Sequence, residues 1–294
     1  MDNLENFNEI TEEFEEPVFS MENASLFIVA TPIGNLGDIS QRAIETLRHA
    51  DLIAAEDTRH TIKLLNRLGI KNTLVSYHEY SDQKKIDSLI TQMLEGKKIA
   101  LVSDAGMPGI SDPGSPLVSA CIANNIGVTV IPGPCAVVTA LPMSGIDARR
   151  FVFEGFIPRD KTRRDVISDI AESKRTVVFY ESPHHLLRTL EEFAAIIPER
   201  KIAICRELTK IHEEVLRMSV SEAAAYFAER QPRGEFVIIL EGKKEEIKVL
   251  TEEDIRRFIE EKLSLGMSRK DAAAKAVSEL GAAKNIAKRI ANEF

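Results

Sequence analysis

Two carboxylates stand in a loop whose backbone is restricted by glycine and proline. The segment SDAGMPGISDPG (103–114) follows the apolar run KIALV and contains Asp104 and Asp112. Two carboxylates in one loop can hold a metal ion, bind a cationic ligand or cap a helix, and the glycines let a ligand approach the main chain closely. No His, Cys or acidic cluster in the sequence has the spacing of metal ligands, so we expect no metal site.

Three further loops have the same character, and each also follows an apolar run. They are TPIGNLGD (31–38), AEDTRHT (55–61) and IPGPCA (131–136). A single loop of this kind is more often a structural turn. Four of them at the carboxyl edge of one parallel sheet predict a shared ligand site, because ligands of such sheets bind there.

The motifs that are absent narrow the choice of ligand. Neither GxxxxGK followed by Ser or Thr nor GxGxxG after the first strand is present, and Pro32 removes an amide that a pyrophosphate would need. What remains is a ligand with apolar, adenine-like and zwitterionic parts, held by backbone groups and a few carboxylates. S-adenosylmethionine has those parts.

The elements that position these loops alternate between β-branched runs and helical patterns, which predicts an α/β fold with a mostly parallel sheet. The first set of predicted strands is 26–30, 52–55, 73–77, 98–103 and 128–132. A second set begins near Phe151, and its runs at 201–208 and 213–220 are close enough to pair antiparallel, so this second sheet is predicted to be mixed.

The remainder of the chain predicts small flanking parts. We expect an acidic tail over 1–24, a first α/β domain over 25–146, a second over 150–245 and a C-terminal helical domain over 250–294. This last part has a helix-turn-helix layout. It either contacts nucleic acid or braces the second domain, and the sequence leaves both open.

Charge and composition exclude few partners. The formal charge of −8 comes from the eight acids of 1–24, because the other residues hold 38 acids and 38 bases. Overall acidity therefore does not argue against a nucleic-acid partner. Three separated cysteines fit a reducing cytoplasm, and no apolar run is long enough for a membrane helix, so we expect a cytoplasmic protein without a membrane partner.

Eight motifs in one order resemble the tetrapyrrole methylase superfamily, and most closely its branch of small-subunit ribosomal RNA methyltransferases. They are VATPIGNLGDIS, AAEDTRHT, LVSDAGMPGISDPG, PGPCAVVTAL, FEGFIPR, FYESPHH, CRELTKIHEE and RGEFVIILEG. The resemblance covers about residues 25–245. It implies a two-domain protein that binds S-adenosylmethionine in the trough between its domains and methylates the ribose 2′-hydroxyl of a cytidine in the decoding centre of 16S ribosomal RNA. A homodimer is also expected.

The same resemblance implies which residues bind the cofactor. They are Pro32, Ile33, Gly34, Asp104, Ala105, Gly106, Met107, Cys135, Ala136, Tyr180, Leu208, Gly234 and Glu235. In this reading Asp112 caps the helix that begins near Ser115. Two positions depart from the branch, which usually has Thr at Met107 and Arg at His185.

Catalytic and RNA-contacting residues follow from position and charge. A ribose hydroxyl is a poor nucleophile, so a base should assist, and among the carboxylates at strand ends Asp57 and Glu181 are our candidates. Bases that neutralise phosphate are concentrated in 149–164. The predicted RNA-contacting residues are Arg149, Arg150, Arg159, Lys161, Arg163, Arg164 and Lys210, and the candidate rings for stacking on a nucleotide are Tyr77, Tyr80, Phe153 and Phe156.

Two alternatives remain open at this point. Methylation of a tetrapyrrole would use the same fold and cofactor, although neither the basic loop nor the C-terminal helices would help to bind a carboxylate-rich macrocycle. A non-catalytic RNA-binding or ribosome-binding factor would retain the fold without binding the cofactor.

Overall fold

The computed structural model describes residues 21–22, 24–244 and 250–294. The chain divides into two compact units, Met1–Lys243 and Lys244–Phe294. The predicted acidic tail and the boundary expected at 245–250 fall largely outside the described residues.

The first sheet is parallel and has the strand order β3-β2-β4-β1-β5. Its strands are β1 (Leu26–Val29), β2 (Leu52–Ala55), β3 (Leu74–Ser76), β4 (Ile99–Val102) and β5 (Val128–Ile131), and its helices are α1 (Gln41–His49), α2 (Thr58–Arg67), α3 (Gln83–Leu94), α4 (Ser115–Ala123) and α5 (Ala136–Ser144). The three central strands are buried along their whole length, as expected for a parallel sheet covered on both faces. The predicted parallel sheet is confirmed.

The second sheet is mixed and has the order β6-β7-β10-β8-β9. Its elements are β6 (Phe151–Phe156), α6 (Arg163–Glu172), β7 (Thr176–Glu181), α7 (Leu186–Ala194), β8 (Lys201–Arg206), β9 (Glu214–Ser219), α8 (Val220–Ala228) and β10 (Phe236–Leu240). Strands β6 and β7 are parallel, whereas β8 pairs antiparallel with both β9 and β10. The predicted antiparallel pairing within 201–220 is confirmed.

Helix α5 connects the two sheets. It follows β5 of the first sheet, but its side chains Val137, Ala140 and Leu141 share one apolar cluster with Val178 and Ile239 of the second sheet. Sequence analysis did not predict this helix. The segment AVVTALPMS is apolar on all sides and contains Pro142 inside the helix, so it lacks the periodicity of an amphipathic helix.

The C-terminal unit consists of α9 (Glu252–Ser264), α10 (Arg269–Leu280) and α11 (Lys284–Asn292). Thr251 and Asp254 form a capping box at the start of α9, and Ser268 caps α10. Gly281 ends α10 with φ +73°, a left-handed conformation that glycine adopts without strain. Alanine and isoleucine side chains from all three helices form the core of this unit.

Candidate active site

The four unusual loops meet at one edge of the first sheet. They follow β2, β4, β1 and β5, which are adjacent in that order in the sheet. Together with the ends of β6, β7 and β10 and the loop after β8, they enclose a cavity of about 390 Å³. The four loops predicted to share a ligand site therefore line one cavity.

Most of the residues predicted to bind the cofactor line this cavity. They are Ile33, Asp104, Ala105, Gly106, Met107, Cys135, Ala136, Tyr180, Leu208, Gly234 and Glu235. The predicted stacking ring Phe156 also lines it, as do seven residues that were not predicted to do so: Glu56, Ile110, Asp112, Ser182, Pro183, Phe236 and Val237. Pro32 and Gly34 were predicted but do not line it. Glu181, predicted as a base, does.

Main-chain hydrogen bonds connect the loop after β1 to the loop after β4. The Thr31 amide donates to the Gly106 carbonyl at 2.8 Å, and the Gly106 amide donates back at 3.0 Å. The Thr31 hydroxyl also donates to the Ser103 carbonyl at 3.3 Å. Gly106 has φ +84°, and a Cβ there would lie 3.4 Å from Ile33, so glycine suits this crossing of the two loops.

Carboxylates and amides pair reciprocally across the loops after β2 and β4. The Asp57 amide donates to Oδ1 of Asp104 at 3.1 Å, and the Asp104 amide donates to Oε2 of Glu56 at 3.2 Å. The side chain of Asp104 is thereby held in the cavity wall, and its other oxygen, Oδ2, has no hydrogen bond within the described part of the chain. That oxygen can accept a hydrogen bond from a ligand.

Asp112 joins this carboxylate group, and the predicted helix cap is wrong. Helix α4 has Gly114 at its N-cap and no side-chain cap, whereas Asp112 lines the cavity. Burial and the nearby charge of Glu56 raise the pKa of Asp112 to about 6, against a hydrogen bond with Ser103 that lowers it. Burial likewise raises the pKa of Glu56. The wall concentrates negative charge in a poorly hydrated place, which favours a cationic ligand.

Asp57 does not fit its predicted role as a base. Its carboxylate caps α2 and receives both the amide and the guanidinium of Arg59, with Nη2 to Oδ2 at 2.7 Å. These hydrogen bonds lower the pKa of Asp57 to about 2, which makes it a poor proton acceptor at neutral pH. The carboxylate also lies outside the cavity lining, so Asp57 contributes to the site through its backbone amide.

Glu181 lies at the end of β7 and is 5% exposed. Its Oε1 accepts the Ser182 amide at 2.8 Å, and its Oε2 accepts the Thr189 hydroxyl at 2.6 Å. The adjacent Ser182 hydroxyl is buried in the cavity wall without a hydrogen-bond partner among the described residues. An unpaired buried hydroxyl is costly, which is a sign that a ligand completes this wall.

Arg163 must be removed from the predicted RNA-contacting residues. It is 5% exposed, and its guanidinium donates to Glu192 at 2.8 Å, to Thr189 at 2.7 Å and to the Pro158 carbonyl at 3.2 Å. Since Thr189 in turn contacts Glu181, Arg163 braces the cavity wall from behind. The guanidinium is not accessible to a phosphate.

Lys210 also has intramolecular partners. Its Nζ donates to Glu207 at 2.9 Å and to Glu235 at 2.8 Å. Its side chain passes so close to Gly34 that a Cβ there would overlap Lys210 Cγ. Gly34 therefore serves the passage of Lys210 rather than the cavity lining. The predicted phosphate contact of Lys210 competes with two carboxylates.

The other predicted cations are on the surface. Arg149 pairs with Asp147 at 2.7 Å. The side chains of Arg150, Arg159, Lys161 and Arg164 are exposed and have no partner within the described ranges. The last three lie between the end of β6, where Phe156 lines the cavity, and the first turn of α6. These three cations therefore follow the cavity-lining residue Phe156 closely in the sequence.

The predicted aromatic rings fall into different environments. Tyr77 is 2% exposed and belongs to the core, whereas Tyr80 is 87% exposed and is absent from the cavity lining. Phe153 packs against Tyr180 with ring centroids 5.0 Å apart. Phe156 is 55% exposed, lines the cavity and lies 5.4 Å from the same Tyr180 ring. Phe156 is thus the ring best placed to stack on a ligand at the cavity.

The two positions that depart from the family pattern, Met107 and His185, lie in different places relative to the cavity. Met107 lines the cavity, so the difference lies at the site. His185 precedes α7 as its N-cap and is not part of the lining.

The His, Cys, Asp and Glu side chains of the described residues form no group of three that could hold a metal ion. No helix among them is long and apolar enough to cross a membrane.

Comparison with known proteins identifies the class of this fold. The profile of the Tetrapyrrole (Corrin/Porphyrin) Methylases matches residues 25–224. Diphthine synthase has a similar fold, with a TM-score of 0.59 at 15% identity over 74% of this chain and 90% of that one. For cobalt precorrin-4 methyltransferase the TM-score is 0.57 at 15% identity, over 74% of this chain and 94% of that one. The chain belongs to the tetrapyrrole methylase family.

Two relatives define the branch. The ribosomal RNA small subunit methyltransferase I of Thermotoga maritima is 48% identical over 219 residues, which are 74% of this chain and 99% of that protein. The protein of the same name from Escherichia coli O157:H7 is 45% identical over 264 residues, or 88% of this chain and 92% of that protein. Within the family, this sequence falls in the ribosomal RNA small subunit methyltransferase I branch.

S-adenosylmethionine is the methyl donor of this family, and the cavity fits it. The cavity has a volume of about 390 Å³, which suits a small-molecule ligand. The carboxylates Glu56, Asp104 and Asp112 match a ligand with a sulfonium and an ammonium group, and Ile33 and Leu208 supply apolar wall. The hydroxyl of Ser182, which has no hydrogen-bond partner among the described residues, could form a further polar contact with it.

We expect the affinity for S-adenosylmethionine to fall as the pH falls through 6. Asp112 attracts the cationic ligand only when its carboxyl group is ionised. Because the pKa of Asp112 is about 6, the free protein binds a proton there at lower pH. Binding must then release that proton, which weakens affinity about tenfold at pH 5 relative to pH 7.5. Isothermal titration calorimetry across this range measures the effect.

The control is Asp112→Asn, which removes this titrating group and should reduce the dependence to the part that comes from Glu56, whose pKa is also raised by burial. Glu56, Asp104 and Tyr180 face Asp112 and remain in the variant. Equal affinities of the unmodified protein at both pH values would contradict the assignment.

Proposed function

We propose that the protein transfers a methyl group from S-adenosylmethionine to the ribose 2′-hydroxyl of a cytidine in the decoding centre of 16S ribosomal RNA. The observation that carries the proposal is the carboxylate-walled cavity bordered by an exposed aromatic ring, Phe156. Three cations with no partner among the described residues follow Phe156 in the sequence. The names of the curated relatives support ribosomal RNA as the substrate.

Bound S-adenosylmethionine supplies an electrophilic methyl group on a sulfonium whose neutral leaving group needs no proton. The chain's own task is therefore to align the hydroxyl with that methyl group, exclude water and accept the hydroxyl proton. The tied loops after β1 and β4 and the buried network behind Glu181 keep the walls rigid. Phe156 is placed to stack on an extruded nucleotide, and Arg159, Lys161 and Arg164 to hold its flanking phosphates.

We propose Asp112 as the group that accepts the proton. Its carboxyl group lines the cavity. Its pKa is about 6 in the free protein, so the carboxylate is ionised at neutral pH, more so beside the cationic cofactor, and can accept a proton. Glu181, the earlier candidate, has both oxygens engaged by Ser182 and Thr189. In this proposal Glu181 positions the wall. At saturating cofactor, Asp112→Asn should lower kcat, whereas Asp112→Glu should retain part of it.

Tetrapyrrole methylation is the second candidate, because the family name and the fold are shared with enzymes that act on such compounds. Tetrapyrrole precursors carry many carboxylates. The cavity wall presents Glu56, Asp104 and Asp112, which would repel them, and the free cations lie outside the cavity lining. RNA is the better match to this charge pattern.

The deciding experiment incubates the protein with methyl-labelled S-adenosylmethionine and small ribosomal subunits from a strain that lacks the activity. We expect label in one alkali-resistant dinucleotide that contains cytidine, because a 2′-O-methyl group blocks alkaline cleavage. Label on a base or nowhere would refute the proposal, and label in a porphyrin precursor offered in a parallel incubation would favour the second candidate. Phe156→Ala should raise the KM for the subunit more than that for the cofactor.

Assembly and location remain predictions. A homodimer is expected from the family and can be checked by sedimentation velocity, and the cytoplasmic location by cell fractionation.

A further inference from the structure

The C-terminal unit contains a second cavity that the proposed reaction does not use. This groove has a volume of about 680 Å³ and lies between α10 and α11. Its floor is apolar and comprises Ala273, Ala274, Val277 and Ala291. Its charged members are Arg269, Lys270, Lys284 and Lys288, and no acidic residue of the described part of the unit lines it.

These four cations differ from most others of the unit because they have no carboxylate partner among the residues that the structure describes. Lys262 pairs with Glu261 at 2.9 Å and Lys275 with Glu279 at 3.2 Å. Arg256 and Arg289 pair with carboxylates of α9 and the chain end. The groove cations are exposed, and none has a hydrogen-bond or ion-pair partner in the described part of the chain.

The positions of the groove cations add to the positive field. Arg269 and Lys270 occupy the first turn of α10, where the helix dipole already disfavours a positive charge. Lys284 opens α11, whose N-cap residue Ala283 provides no side-chain acceptor for the first amides. Lys288 lies one turn further on the same face. Positive charge is thus collected where folding alone would disperse it, which points to an anionic partner.

The charge is also segregated between helices. Helices α10 and α11 together carry six basic residues and two acidic ones, whereas α9 carries five acidic and three basic residues. One side of the unit therefore attracts a polyanion, and α9 does not. An extended groove with cations along its rim matches a nucleic-acid strand, in which phosphates recur at regular intervals.

We infer that the groove between α10 and α11 binds the phosphate backbone of the RNA substrate, at a surface separate from the methyl-transfer cavity. This inference rests on the proposed RNA substrate. The groove increases affinity and leaves the chemistry to the cavity.

The test compares Lys284→Ala, Lys288→Ala and the double variant with Arg257→Ala in the full chain. Arg257 is exposed on α9 and has no partner among the described residues, so it is a matched loss of one charge outside the groove. Filter binding of protein-free small-subunit ribosomal RNA is measured over a range of salt concentrations. Each groove variant should reduce the slope of log K against log salt by about 0.8, and the double variant by about 1.5.

At physiological salt the double variant should bind this RNA about tenfold more weakly, with kcat at saturating RNA unchanged. Arg257→Ala should match the unmodified protein in both slope and affinity. An unchanged slope in the double variant would overturn the inference. A loss seen with intact subunits but not with protein-free RNA would also overturn it, because the partner would then be a ribosomal protein.

The two proposals can fail separately. Absence of methyl transfer to any ribosomal RNA refutes the proposed function. Normal transfer together with an unchanged salt slope refutes only the groove. Thermal unfolding of each variant confirms that these exposed substitutions leave the unit folded.

Discussion

Replacing Arg163 with alanine is expected to lower the free energy of unfolding by about 3 kcal/mol. The guanidinium is buried, and its loss leaves the Pro158 carbonyl and the Thr189 hydroxyl without their donor. We expect a value at the lower end of the range for a broken buried ion pair, because Glu192 still has a second partner, Arg188, at 2.9 Å. Chemical denaturation monitored by circular dichroism measures the loss, and the melting temperature should fall by roughly 8 °C.

The neighbouring Arg164 is the matched control. It is exposed and unpaired, so Arg164→Ala should change stability by less than about 0.5 kcal/mol. Arg164→Glu should instead weaken RNA binding while cofactor affinity stays unchanged. Equal stability of the two alanine variants would contradict the buried network, and equal loss of both ligands in Arg164→Glu would contradict separate binding surfaces.

Replacing Asp104 with alanine is expected to weaken S-adenosylmethionine binding about 100-fold. This loss corresponds to one hydrogen bond to a charged group, about 3 kcal/mol. Asp104→Asn keeps an acceptor for the Asp57 amide but loses the charge, so a smaller loss of about tenfold is expected. Calorimetry measures both, and RNA affinity measured without cofactor should remain within about twofold of the unmodified value in each variant.

Asp57 provides the contrast. Asp57→Ala removes the α2 cap and its pair with Arg59 but retains the amide that holds Asp104. We expect a small loss of stability from the missing helix cap, with cofactor affinity and methyl transfer nearly intact. Loss of methyl transfer at normal cofactor affinity would restore Asp57 as the base. Wild-type affinity in both Asp104 variants would exclude that carboxylate from the binding site.

The pattern of apolar residues along the sequence predicted the strands of both sheets well, because it directly reflects which residues are buried. The predicted strand at 26–30 ends one residue later than Leu26–Val29, and the four ligand loops follow from strands that end in apolar residues. The order of those strands in the sheet arises from tertiary packing, which no local window contains. The motifs supplied by family resemblance predicted much of the cavity wall for the same reason, since they are the strand-end loops themselves.

The errors occurred where two adjacent or similar residues have different tertiary environments. Arg163 and Arg164 are identical in sequence character, but only one faces the core from α6. Asp112 precedes a helix as a cap would, yet Gly114 takes that position and the carboxylate turns toward Ser103. Contacts from distant elements decided each case: Thr189 and Glu192 of α7 hold Arg163, and Glu56 from the loop after β2 acts on Asp112.

The packing of α5 against the second sheet makes the two sheets one cooperative folding unit. A fragment that ends at Gly145 would carry α5 with Val137, Ala140 and Leu141 uncovered, because their apolar partners belong to β7, β8 and β10. A fragment that begins at Phe151 would lack the helix that covers that face of its own sheet. Split-protein designs and truncations at this junction should therefore give insoluble halves, and unfolding should proceed through both sheets in a single transition.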